Sequence, residues 1–127
     1  MEDKDNIYVG GILRYKRIEN DLTISELGRF LDVSPEFLSE IEIGNKVPSD
    51  FLIYNLAKLY NISHDLLFNG FNKTPILGDY YFKVKNREAF KKLIFQVNIS
   101  KIDEDSRQLL YDNIFEAYLR REALSFK

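Results

Sequence analysis

Apolar residues recur at helical spacing along most of the chain, and capping residues punctuate them. Ile7, Val9, Leu13, Tyr15 and Ile18 predict a first helix over about 7–19, with Arg14, Lys16 and Arg17 supplying charge. Asn20-Asp21 breaks it. Thr23 is a good N-cap, and Glu26 three positions on completes a capping box. The second helix carries Ile24, Leu27, Phe30 and Leu31 as its apolar residues and ends in a tight turn at Asp32-Val33. Ser34 caps a third helix with Pro35 at its first position, where a missing N–H costs nothing. Phe37, Leu38 and Ile41 face inward, and Gly44 ends the helix as a left-handed residue. After a loop from Asn45 to Pro48, Ser49 or Asp50 caps a fourth helix through Tyr60, with Leu52, Ile53, Leu56 and Leu59 apolar. Asn61 stops it, and Ser63 caps a short fifth helix from His64 to Phe68.

The following stretch, 70–85, holds Gly70, Pro75 and Gly78 and predicts a linker in which Tyr80 to Val84 packs as an extended segment. Asn86 caps a sixth helix to about Val97, with Phe90, Leu93, Ile94 and Val97 at helical spacing. Asp103 caps a seventh, from Glu104 to about Leu124. Leu110, Ile114, Ala117 and Tyr118 form one apolar stripe on it, while Leu109, Tyr111, Phe115 and Leu119 occupy others. A helix apolar nearly all round is expected to be buried. So short a chain offers few surfaces to bury it, which points to a partner subunit, with Leu110, Ile114, Phe115 and Tyr118 as the oligomerisation residues. The predicted fold class is all-α: a five-helix unit over 7–69, a linker, and a helical extension over 86–124.

Composition narrows the classes. With 127 residues, 45% hydrophobic and 14% aromatic, the chain is one domain, or one with an extension, and can bury a core. The absence of cysteine excludes disulfides and thiolate metal sites and fits a cytoplasmic protein. Neither a long apolar run nor a signal-peptide pattern occurs, so no membrane contact is expected. The acidic start, residues 1–6, reads as a frayed tail and not as a basic arm. His64 is the only histidine and is expected to be exposed; the acids at 103–105 fit a helix N-terminus better than a metal site. No catalytic constellation, metal or cofactor site is expected, and the chain does not read as an enzyme.

Most informative is the register of residues from Gly10 to Phe68. Gly10, Leu13, Arg14 and Arg17, then Leu22-Thr23, Glu26-Leu27, Val33-Ser34, Leu38-Ser39, Ile41-Glu42, Gly44, Pro48-Ser49, Leu56-Ala57 and Leu66-Leu67 run in one continuous order. In that register the segment resembles the phage-repressor and Cro-like helix-turn-helix family, of the xenobiotic-response-element type. The resemblance implies a regulator of transcription that binds double-stranded DNA, commonly as a homodimer, with its second motif helix in the major groove. It also implies an ion pair between Arg17 and Glu42. That pair can be purely structural, or Arg17 can in addition reach a phosphate.

Mapped onto this chain, the family's DNA-contacting positions are Arg17, Thr23, Ile24, Ser34, Pro35, Glu36, Ser39, Glu40, Asn45, Lys46 and Ser49. Several depart from the family's habits. Ile24 stands where a phosphate-clamping Gln is usual, Gly28 where a small Ala is usual, and the base-reading positions hold a proline, a serine and two acids. Between 7 and 69 there are six basic and nine acidic residues, and the whole chain has a formal charge of −2. A DNA binder ordinarily shows a basic patch, and few cations mean a shallow salt dependence. Glu36 has two readings: a favourable charge at a helix N-terminus, or an acceptor for cytosine N4. Lys46 is a solvated loop residue or a phosphate contact. The alternatives to a dimeric repressor are an interaction module, such as an anti-repressor or adaptor engaging protein through its C-terminal helices, and a DNA-binding antitoxin.

Overall fold

A computed structural model describes residues 3–125, with side chains described for 5–123. All elements are helices: α1 (Asp3–Glu19), α2 (Ile24–Leu31), α3 (Pro35–Glu42), α4 (Asp50–Tyr60), α5 (His64–Gly70), α6 (Tyr80–Val84), α7 (Glu88–Ile99) and α8 (Glu104–Ser125). They form two compact units that divide between Thr74 and Pro75.

In the first unit, α1 packs on α3 and α5. It begins at Asp3, so residues 3–6, expected as a tail, are helical; Met1 and Glu2 lie outside the described residues. Its buried face is narrower than the apolar pattern predicted. Val9 and Leu13 are buried, whereas Ile7, Tyr15 and Ile18 are more than half exposed. The reason is close approach at Gly10, where a Cβ would stand 2.5 Å from the Ile41 carbonyl oxygen and 2.6 Å from that of Glu42. Tyr15, well round the helix from Gly10, cannot reach that contact, whereas Ile7 lies beside Gly44, where an added Cβ would stand 2.7 Å from Ile7 Cγ1. Phe30 and Leu59, counted among the apolar residues of α2 and α4, are also exposed.

The helix ends follow the local chemistry. Thr23 Oγ1 accepts from the Glu26 amide at 3.1 Å, and Glu26 Oε1 accepts from the Thr23 amide at 2.9 Å. This reciprocal pairing satisfies two N-terminal donors of α2. Asp32 closes α2 in the left-handed region at φ 54°, which Asp tolerates better than most residues. Ser34 Oγ caps the Phe37 amide at 3.2 Å, with Pro35 beginning α3. At the other end of α3, Gly44 takes φ +90°. Its amide donates to Ile41 O at 3.1 Å and that of Asn45 to Glu40 O at 2.8 Å, the paired closure of a Schellman motif.

Behind the motif, α4 and α5 supply Leu52, Ile53, Leu56, Leu67 and Phe68 to the core. Asp50, fully buried at the start of α4, lies 2.8 Å from Lys73 Nζ. The same ammonium donates to Pro48 O at 3.0 Å, tying the segment after α5 to the loop before α4. A buried carboxylate requires such a partner, because desolvating an unpaired charge is costly. His64 is half-buried rather than exposed, its ring centroid 5.2 Å from that of Tyr54, because α5 lies against α4.

In the second unit, residues 80–84 are helical, which corrects the extended expectation. The buried pair is Tyr81 and Val84, three apart, a spacing that helix satisfies and strand alternation does not. Leu77 is buried as well. The N-cap of α7 is Arg87, one past Asn86, and Asp103 caps α8 by accepting from the Ser106 amide at 2.8 Å. The core is aromatic: Phe115 stacks on Tyr81 and Phe90 at 5.5 and 5.6 Å, and Phe90 meets Tyr118 at 5.4 Å. Tyr111 donates its hydroxyl to Asn98 Oδ1. One stripe of α8 is therefore buried within its own unit: Gln108, Tyr111, Phe115 and Tyr118. Phe115 and Tyr118, expected at an oligomerisation surface, belong to this core. Leu110 remains partly exposed at 39% and Ile114 is half-buried.

Candidate nucleic-acid interface

Helices α2 and α3, joined by the turn at 32–34, form a helix-turn-helix with its outward side facing solvent. Where α1 meets this pair, an open cleft of about 430 Å³ is lined by Arg14, Arg17, Leu22, Thr23, Ile24, Ser39, Glu42 and Ile43. Four expected contact residues, Arg17, Thr23, Ile24 and Ser39, thus come together. Arg14 had matched the family pattern but was not among the expected contacts. Its signal was its place one helical turn before Arg17, which puts both guanidinium stems on neighbouring turns of α1.

Arg17 is held by three hydrogen bonds. Its Nε donates to Glu42 Oε2 at 2.8 Å, Nη2 to Glu42 Oε1 at 3.0 Å, and Nη1 to Leu22 O at 2.9 Å. The fork-to-carboxylate geometry is the strong, bidentate form of an ion pair. The hydrogen bonding of Arg17 to Glu42, opposed by burial, raises the Arg17 pKa above its ordinary value. Nearby, burial and then the Glu42 charge push the Tyr60 hydroxyl up to about 12, against the opposing field of Arg17. The Tyr60 hydroxyl is buried and has no hydrogen-bond partner among the described residues. Arg17 is thereby a fixed strut between α1 and α3. Arg14 is exposed at the cleft edge.

Thr23 places the N-terminus of α2 at the cleft, where the remaining amide donors and the helix dipole suit an anion. Ile24, one residue on, offers only an apolar side chain. Along α3, Glu36 and Ser39 are exposed on the outward side and Ile43 is 52% exposed beyond them. Glu40 is half-buried, and its Oε2 accepts from Asn45 Nδ2 at 3.0 Å, so these two expected contacts are tied to each other. Lys46 Nζ sits 5.7 Å from the centre of the Phe37 ring, a cation–π placement on the flank of α3. Ser34 and Pro35 are half-buried in the turn. Ser49 is buried, and its hydroxyl accepts from the Leu52 amide at 3.1 Å as the cap of α4. The expected set thus divides into a cleft group, an α3 surface group and residues engaged in holding the fold.

The arrangement offers cations and helix-terminal amides on one side and hydrogen-bonding side chains on an exposed short helix on the other. Among the described residues no three His, Cys, Asp or Glu side chains are grouped to hold a metal, and no helix is long and apolar enough to cross a membrane.

Residues 13–67 match a family model described as helix-turn-helix, which spans α2, α3 and α4 together with the C-terminal part of α1 and the start of α5. No curated protein and no solved structure matches the chain. Residues 13–67 therefore carry a helix-turn-helix domain of the Cro/C1 type, a family of DNA-binding regulators.

Proposed function

We propose that the chain is a sequence-specific repressor that binds double-stranded DNA as a homodimer. The observation that carries this reading is the cleft of Arg14 and Arg17 at the N-terminus of α2, beside an α3 whose Glu36 and Ser39 are exposed. A backbone phosphate seated at the cleft meets a free guanidinium at Arg14 and the first-turn amides of α2. Phosphate contacts of this kind set register and orientation. Glu36 and Ser39 then face base edges, and Glu36 accepts from cytosine N4. Arg17 acts mainly by holding α1 to α3. Occupation of the operator blocks polymerase, and two copies read two half-sites spaced by about one helical turn, roughly 34 Å.

The test is selection from a random duplex pool with wild-type protein and with Glu36→Ala. Enrichment of one motif by the wild type, with cytosine preference relaxed at one position in the variant, supports the reading. Identical motifs for both proteins overturn the role of Glu36, and no enrichment overturns sequence-specific binding.

A second reading is a protein-interaction module. It is favoured by Tyr8, Tyr15 and Ile18, three exposed apolar side chains on α1, and by the acidic character of α3. Under that reading no duplex is enriched, and a protein partner binds the first unit instead.

A further inference from the structure

Helix α8 carries a second line of residues beside its buried stripe. At 100° per residue, Asp103, Leu110, Ile114 and Arg121 fall within roughly 40° of one another around the helix axis. Asp103 and Arg121 are exposed, Leu110 is 39% exposed and Ile114 is half-buried. Ala117, also exposed, lies at the edge of the line and leaves room for close approach.

The line is complementary to itself. Leu110 and Ile114 stand two positions either side of residue 112, and Asp103 and Arg121 stand nine positions either side of it. A two-fold axis level with residue 112 that sets two such helices antiparallel brings Leu110 against the partner's Ile114. It also brings Asp103 against the partner's Arg121, once at each end of a seam roughly 27 Å long. A parallel pair instead sets acid against acid and arginine against arginine. Antiparallel pairing also opposes the two helix dipoles head to tail. The intrachain hydrogen bonds of Asp103, to the amide and hydroxyl of Ser106 at 2.8 and 2.9 Å, fix its carboxylate at the helix end, where it can accept further donors.

We propose that α8 is a homodimerisation helix that pairs antiparallel with α8 of a second copy, through Leu110 and Ile114 flanked by Asp103–Arg121 ion pairs. The proposal rests on the dimeric reading above and assigns it a surface, an orientation and a register. Phe115 and Tyr118 take no part, because they are buried within their own unit.

The chain has no cysteine, so introduced thiols report contacts without background. A Leu110→Cys protein and an Ile114→Cys protein, carrying different mass tags, are mixed and oxidised mildly, and each is also oxidised alone. The mixture is expected to give mainly the mixed 110–114 disulfide, with little cross-linking of either protein alone. Arg121→Glu is expected to weaken the wild-type dimer roughly tenfold and to reverse the sign of its salt dependence, because two surface attractions become two repulsions. Sedimentation of the wild type at tens of micromolar separates the two failures. A dimer whose thiols self-link but do not cross-link as a mixture overturns the antiparallel register and leaves the dimeric reading standing. A single 15 kDa species overturns both.

Discussion

Arg17 offers the sharpest test of how the motif is held together. Its side chain is 15% exposed and that of Glu42 only 7%, and the two share a bidentate contact at 2.8 and 3.0 Å. Arg17→Ala leaves the Glu42 carboxylate buried without its countercharge and leaves Leu22 O without its donor. Breaking a buried pair from one side costs about 3–5 kcal/mol. Small domains have about 5–15 kcal/mol in total, so the first unit of the variant sits near its unfolding threshold. Replacing both partners, as Arg17→Met with Glu42→Leu, removes the charge together with its partner. The double variant is expected to recover most of the loss, since apolar replacements of buried pairs are often neutral or stabilising. The assay is urea unfolding of the wild type, the two single variants and the double variant at one pH. If Arg17→Ala costs under about 1 kcal/mol, the contact behaves as a surface pair and the strut account is wrong. If the double variant is no better than the single ones, the cost arises from lost packing and not from an uncompensated charge.

Four other outcomes follow from the same geometry. Arg14→Ala is expected to change stability by less than about 0.5 kcal/mol, as surface substitutions usually do, while reducing the salt slope of DNA binding by about one; an unchanged slope removes Arg14 from the phosphate site. Gly10→Ala is expected to cost about 1–3 kcal/mol through overpacking against the α3 carbonyls. Gly11→Ala, whose Cβ meets nothing within 4 Å, is expected to gain about 0.5–1 kcal/mol of helix propensity in thermal unfolding. The Tyr60 hydroxyl, pushed up to about 12, keeps its proton in the folded state above the ordinary tyrosine pKa of about 10. The folded state therefore binds more protons between those values, and stability is full below pH 10 and falls by up to about 1.4 kcal/mol per unit as pH rises towards 12. Tyr60→Phe is expected to flatten that fall in urea unfolding compared between pH 9 and 11, and an identical slope in the variant contradicts the assignment.

What was legible in the sequence was local. The Thr23–Glu26 capping box, Ser34-Pro35 and Gly44 act within one helical turn of themselves, so their residue types alone place the ends of α2 and α3. Arg17 with Glu42 is 25 positions apart and became visible only through the family register. Asp50 with Lys73 had no such guide: Asp50 read as a candidate cap of α4 and nothing pointed to Lys73 as its partner until the fold set the lysine over the buried carboxylate. All but Lys83 of the five residues of α6 are aromatic or β-branched, and so short a run does not separate helix from strand by periodicity. In α8 several apolar stripes competed, and only the packing of Tyr81 and Phe90 against Phe115 identified the inner one. Among the expected DNA contacts, Ser49 and the Glu40–Asn45 pair carried the right residue types, but their polar atoms serve a cap and each other.

Separating these residues by function depends on whether the α2–α3 face reads DNA. The direct measurement is a binding titration against duplex DNA from upstream of the chain's own gene and against a scrambled duplex, repeated across a salt series. The account predicts preferential binding to the upstream duplex that weakens as salt rises, with a slope set by a small number of phosphate contacts. Equal affinity for both duplexes, or no binding to either at low salt, contradicts it and assigns the exposed face to a protein partner.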